Sequence, residues 1–286
     1  MRAYNGTPAW HGPLTGINGR PDSKAQAALQ YINRGKISMH TTMQVSQRSA
    51  SAGHEGGFTL IEIAIVLVII GLLLGGVLKG QELITSARVR NLIQQQEGIK
   101  AAYFGFLDRY RALPGDYGSA STNISCTPAC SNGNNNGTIR SIADGDTIDE
   151  PIAAWEHLSK SGFINGSYSY AAFPETTASA PANPYARFLR LSYDGVYGAG
   201  TAAAPNTLRH NLKAGNQIPS DLLAEIDRKS DDGIPDSGSF QFTVFDGGGA
   251  AGAVAPTGAG GCYAAGPPAV WTATPPIPNC GAAGLL

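Results

Sequence analysis

Glu62 is the residue most at odds with its surroundings. It is the fifth residue of an apolar run, Phe58–Leu78, that reads FTLIEIAIVLVIIGLLLGGVL and carries no other charge. A carboxylate in hydrocarbon is costly, so it normally has a partner or a function. No Lys or Arg lies one helical turn away. A cut after Gly57 would supply a partner, the new amino group of Phe58. In a bundle of such helices that ammonium pairs with Glu62 of a neighbour, because either charge alone is heavily penalised there. The same pair would fix the axial register of one helix against the next.

Two other stretches gather oxygen ligands. Asn132-Gly-Asn134-Asn-Asn136-Gly137-Thr-Ile139 imitates a calcium loop, with oxygens at positions 1, 3 and 5, Gly at 6 and Ile at 8. The imitation is partial: Asn replaces Asp three times, and the twelfth position is Ala143, so Asp144, Asp146 or Glu150 would have to complete the shell. A polar, turn-rich loop is the plainer reading. Asp231, Asp232 and Asp236 form the better metal candidate, because carboxylates carry the charge calcium needs. The competing reading there is a solvated helix C-terminus. Apart from calcium, no cofactor is expected.

The four cysteines, Cys126, Cys130, Cys262 and Cys280, form no C-x-x-C pair and have no His beside them, which argues against zinc. An even count in an exported body suggests two disulfides. Three connectivities are open, and proximity favours 126–130 with 262–280. The histidines are His11, His40, His54, His157 and His210. His157 reads as a surface or capping residue. There is no G-x-S-x-G, P-loop or H-E-x-x-H motif, so no enzymatic activity is expected.

The elements that position these residues follow from composition and periodicity. The chain has 286 residues, 14% charged, with 37 Gly and 18 Pro, the composition of a loop-rich extracytoplasmic protein. Its net charge of −1 gives no support to nucleic-acid binding. Residues 1–57 hold six Lys/Arg and two acids, leaving 14 basic and 19 acidic residues in the remainder. A basic head and an acidic body flank a 21-residue apolar run long enough to span a bilayer, which keeps the head inside and exports the body. From Lys79 to about Arg111, Leu92, Gln96, Ile99, Tyr103, Phe106 and Tyr110 recur at helical spacing. The run and this stretch predict one rod of roughly 50 residues and about 75 Å, ended by Leu113-Pro114-Gly115-Asp116. Residues 117–150 read as loop. Pro151–Leu158 reads as a short helix with Trp155 as a core anchor. Ser220–Lys229 reads as another, N-capped by Ser220 and closed by Asp231-Asp232-Gly233. Strands are expected at Tyr168–Phe173, Phe188–Tyr193 and Phe240–Phe245. The Ala/Gly/Pro tail from Gly247 could hardly fold unaided.

Gly57-Phe58-Thr59-Leu60-Ile61-Glu62 ahead of an apolar helix resembles the processing signature of type IV prepilins and type II secretion pseudopilins. The resemblance implies cleavage after Gly57 by a prepilin peptidase, methylation of the Phe58 amine, and a role for Glu62 in subunit assembly. It implies an α+β fold in which a long N-terminal helix, membrane-spanning in its first half, packs on a small antiparallel sheet with long loops. The domains would be a leader (1–57), the pilin helix (58–112, of which 58–78 cross the membrane) and a periplasmic body (113–286). Residues 111–116, the Trp155-containing helix and 226–233 also resemble a subset of bacterial prepilin-type proteins.

The partners so implied are the peptidase, other pilin or pseudopilin subunits and the inner membrane, with nucleic acid only in a DNA-uptake minor pilin. In pilins a C-terminal disulfide loop often pins the edge of the sheet, a role that falls here to Cys262–Cys280. The alternative reading is a minor or tip subunit that binds a surface, DNA or a secreted substrate. Two features depart from the family pattern. The leader is long, and a start at Met39 or Met43 would shorten it to a basic leader. No Pro kinks the first helix, which leaves Gly71, Gly75, Gly76 and Gly80 as the candidates for local melting.

Overall fold

The computed structural model describes residues 57–201, 203–249 and 254–286. The chain divides into two compact units, Met1–Phe58 and Thr59–Leu286. Of the first, only Gly57 and Phe58 are described; the rest of the leader, with Met39 and Met43, lies outside the described residues.

The second unit is organised by helix α1, Leu60–Tyr110, 51 residues long. Thr59 caps it: its hydroxyl accepts the Glu62 N–H at 3.2 Å. Thr59-Leu-Ile-Glu62 thus supplies the N-cap half of a capping box. The helix runs unbroken through Gly71, Gly75, Gly76 and Gly80, so the expected melting does not occur. A glycine costs about 1 kcal/mol in a helix interior, too little to break a rod of this length by itself. Arg111 ends it in the left-handed region (φ 54°), its N–H returning to Leu107 O at 2.9 Å. Gly115 (φ 92°) then turns the chain, as the Leu-Pro-Gly-Asp sequence predicts.

The two halves of α1 differ in what covers them. The first is long and apolar enough to cross a membrane, and its most apolar stretch buries nothing against the rest of the chain. The second carries the body through Val89, Leu92, Ile99, Ala102, Tyr103 and Phe106. Of the expected stripe, Gln96 and Tyr110 are only half-buried, while Val89 and Ala102 join it.

A four-stranded antiparallel sheet packs against that half in the order β1 (Arg190–Asp194), β2 (Arg209–Lys213), β6 (Ala282–Leu285), β3 (Phe240–Phe242). A two-stranded ribbon pairs β4 (Tyr263–Ala264) with β5 (Val270–Trp271). The fold is therefore α+β, a long N-terminal helix on a small antiparallel sheet, and pilin-like. Two of the three expected strands form, in part, as β1 and β3. Tyr168–Phe173 forms none, because side chains of helix α3 (Glu150–Lys160) and its flank take up its amides. Tyr168 N–H donates to Ser159 Oγ at 3.1 Å, Tyr170 N–H to Glu156 Oε1 at 3.0 Å, and Phe173 N–H to Asp149 Oδ2 at 3.1 Å.

Two apolar clusters sit at different heights on the rod. Nearer the apolar half, Val89 and Leu92 meet Leu222, Leu223 and Ile226 of helix α4 (Ser220–Ser230), with Phe240, Phe242 and Trp271. Farther out, Ile99, Tyr103 and Phe106 meet Trp155 and Leu158 of α3 and Leu189, Leu191 and Leu212. Trp155 is fully buried, as a core anchor should be. A single helical turn, α2 (Ala120–Asn123), interrupts the loop between α1 and α3.

Candidate functional site

The processing residues lie where an enzyme can reach them. Gly57 and Phe58 are exposed and precede the helix, and a Cβ placed on Gly57 would meet open space. Glu62 is exposed within the first turn of α1. Its N–H is satisfied by Thr59, but its carboxylate has no hydrogen-bond or ion-pair partner among the described residues. The first partnered charge along the helix is Lys79, which pairs with Glu82 at 2.7 Å beyond the apolar run. The chemistry of the segment is thus one uncompensated carboxylate on an otherwise apolar surface.

Residues 53–78 match the family model of the prokaryotic N-terminal methylation motif. That motif is the hallmark of type IV pilin and pseudopilin precursors. The chain carries a prepilin-type N-terminus. No curated protein and no solved structure matches the chain. The match ends at Leu78, so the body of this prepilin-type protein rests on its own geometry.

All four cysteines are bridged, Cys126–Cys130 and Cys262–Cys280, the local connectivity. The second bridge does not pin a sheet edge. It leads into β6, which lies between β2 and β3, and Cys280 also pairs through its backbone with Ile218. The bridge therefore fastens an interior strand, placed there because the tail turns back into the gap between β2 and β3.

The metal candidates resolve differently from the sequence expectation. Asp231 and Asp232 gather with Asp227, not with Asp236. Their oxygens are already engaged: Asp231 accepts the Ser239 and Phe240 N–H groups, Asp232 accepts Ile234 N–H at 2.9 Å, and Asp227 accepts Trp271 Nε1–H at 2.7 Å and Gly233 N–H at 3.2 Å. Burial pushes the Asp227 carboxyl up to about 6, against the pull of the Trp271 indole. The group acts as a knot that ends α4 and ties it to β3 and β5. Ser220 is likewise not the N-cap; Pro219 is, and the Ser220 hydroxyl instead donates to Thr272 O and accepts Ile277 N–H at 2.8 Å.

The asparagine-rich loop is held the same way. Asp116 accepts Asn136 N–H and Gly137 N–H, both at 2.8 Å. Glu150 accepts Asn134 N–H at 3.3 Å and Arg140 N–H at 3.2 Å, and Asp146 accepts the Asn134 and Asn136 side-chain amides. Burial raises the Glu150 carboxyl to about 7. These oxygens fasten the loop to α3 instead of forming an open coordination shell, so no metal step is derived from them.

His157 corrects its sequence reading. It is fully buried, not a surface residue. Nδ1 accepts Gly115 N–H at 2.9 Å, which leaves the ring proton on Nε2 to donate to Ser131 O at 2.7 Å. Burial pulls its pKa down and keeps it neutral, although Ser131 and Glu156 oppose this. Asp116 and His157 are the residues the sequence reading missed. The signal was available: a polar loop of this length must satisfy its backbone amides with acids or histidines from the element it covers.

Proposed function

We propose that the chain is a structural subunit of a type IV pilus or a type II secretion-like pseudopilus. In this reading a prepilin peptidase cleaves after Gly57, the Phe58 amine is methylated, and the subunit assembles through α1. The carrying observation is Glu62, a carboxylate with no partner in its own chain, standing inside the matched motif on an exposed apolar helix. An ammonium from a neighbouring subunit's N-terminus supplies the missing charge, and the apolar half of α1 passes from the inner membrane into a filament core without needing a new partner surface. The body faces the periplasm and then the filament exterior. The reading requires no cofactor and no active site.

A second reading, a minor or tip subunit, draws on the size of the body. Removal of 57 residues leaves 229, with long polar loops, which suits a special position in a filament. Abundance in sheared filaments separates the two: a dominant band marks a major subunit, a trace band a minor one.

Intact and peptide mass spectrometry of the protein from its native membrane tests processing. The expected N-terminus is Phe58, heavier by one methyl group. An uncut chain, or a cut elsewhere, leaves α1 an ordinary anchor and removes the partner of Glu62.

A further inference from the structure

Asp236, separated by the fold from Asp231 and Asp232, has a different neighbour. It lines an open cavity of about 300 Å³ with Arg209, at the end of the sheet where the β1–β2 and α4–β3 loops meet. Asn206 and Thr207 share the wall, and Tyr197 and Gln241 form a floor only 4% and 7% exposed.

The polar groups here are oriented but uncommitted. Asn206 Nδ2 donates to Tyr197 O at 2.7 Å and Gln241 Nε2 donates to Gly238 O at 2.8 Å, which fixes both carboxamides and leaves their oxygens free. The Tyr197 hydroxyl donates to Thr207 O, so its ring is held still. Gly198 (φ 57°) makes room for the floor: a Cβ there would stand 2.5 Å from Gln241 Oε1. Arg209 and Asp236 line the same cavity, yet they form no ion pair with each other or with any described residue. Elsewhere in the body buried acids are engaged: Glu175 by Arg190, Asp194 by Lys213, Asp227 by Trp271.

We infer that this cavity binds a neutral saccharide unit. One guanidinium, one carboxylate and two free carboxamide oxygens offer donors and acceptors together at zero net charge. Sugar hydroxyls use both at once, and charge-assisted hydrogen bonds to Arg209 and Asp236 are the strong ones. The ring of Tyr197 offers an apolar face for sugar C–H groups. An anionic ligand would be repelled by Asp236 and a cationic one by Arg209. The volume lies at the lower end of the usual range for small-ligand sites, about 300–1,000 Å³, which suits one or two sugar rings. This goes beyond the filament reading and does not depend on it, since the site lies wholly in the body.

The test uses the full chain, unassembled, in a zwitterionic detergent without a sugar headgroup. It is applied to an array of neutral mono- to trisaccharides, and hits are titrated by calorimetry. At least one neutral glycan should bind, and Asp236→Asn and Arg209→Gln should each weaken it tenfold or more while the melting temperature stays unchanged. Binding of no neutral glycan, binding that survives both substitutions, or binding of acidic glycans alone overturns the proposal. None of these outcomes bears on cleavage at Gly57.

Discussion

At the scale of single residues, one misplaced charge carries the most function. Glu62 gains nothing from its own chain beyond a backbone contact, so its worth must lie in what another subunit brings. Glu62→Ala keeps the helix, because Ala is the better helix former and the Thr59 cap uses the backbone N–H of residue 62. Cleavage of this variant should proceed at near wild-type level, while its recovery in sheared filaments should fall by about tenfold or more, the equivalent of about 1.4 kcal/mol per interface. Immunoblots of membrane and filament fractions measure both. Undiminished incorporation would remove the pairing argument and leave apolar packing alone to hold the filament.

At the scale of elements, α3 is the body's fastening rail. Nine consecutive residues, Glu150 to Leu158, are buried, the apolar ones against α1 and the polar ones against loop amides. His157 is its pH-sensitive member. The folded protein holds the imidazole neutral with a depressed pKa, so its stabilising contribution is present above the ordinary value of 6.5 and is lost as pH falls below it. Protonation at Nδ1 would remove the acceptor for Gly115 N–H while burying a charge. Facing it are Glu156, the Ser131 carbonyl and the Phe106 ring, which stacks at 6.0 Å. His157→Ala should lower stability at pH 7.5 by about 2–4 kcal/mol, combining a cavity with two orphaned backbone groups. The variant should also show a flatter loss of stability between pH 6.5 and 5 than the wild type. Urea unfolding followed by tryptophan fluorescence at several pH values reads both effects, and equal acid limbs in the two proteins would clear His157 of the role.

At the scale of the whole molecule, the last residues of the chain complete the structure that the first ones begin. Strand β6 pairs with β2 through Asn211–Leu285 and Lys213–Ala283, and with β3 through Phe240–Gly284 and Phe242–Ala282. The sheet cannot close without it. The Cys262–Cys280 bridge shortens the search for that position by closing a loop with a sequence separation of 18. Replacing both cysteines by serine should destabilise the body by about 3 kcal/mol in the chain-entropy account. Because β6 is interior, the loss should appear across the sheet and not only in the tail. Hydrogen exchange at β2 and β3 amides distinguishes the two cases: unchanged protection there would confine the bridge to a local role.

The sequence by itself determined the parts governed by local chemistry. The apolar run, the Thr59-to-Glu62 first turn, the 3.6-residue stripe through Leu92, Ile99, Tyr103 and Phe106, and the Pro114-Gly115 stop each depend on neighbours in the chain, and each stands where expected. Helices α3 and α4 were legible for the same reason. The tertiary structure decided what depends on distant partners. Ala282–Leu285 has no strand-forming composition and is a strand because β2 and β3 leave a gap for it. Tyr168–Phe173 has that composition and is not a strand because α3 takes its amides. His157 was buried by a loop that begins forty residues earlier, and Asp236 was drawn away from its near neighbours to stand with Arg209. Side chains with several polar partners to choose from take the ones that burial brings, and burial is a property of the packed chain.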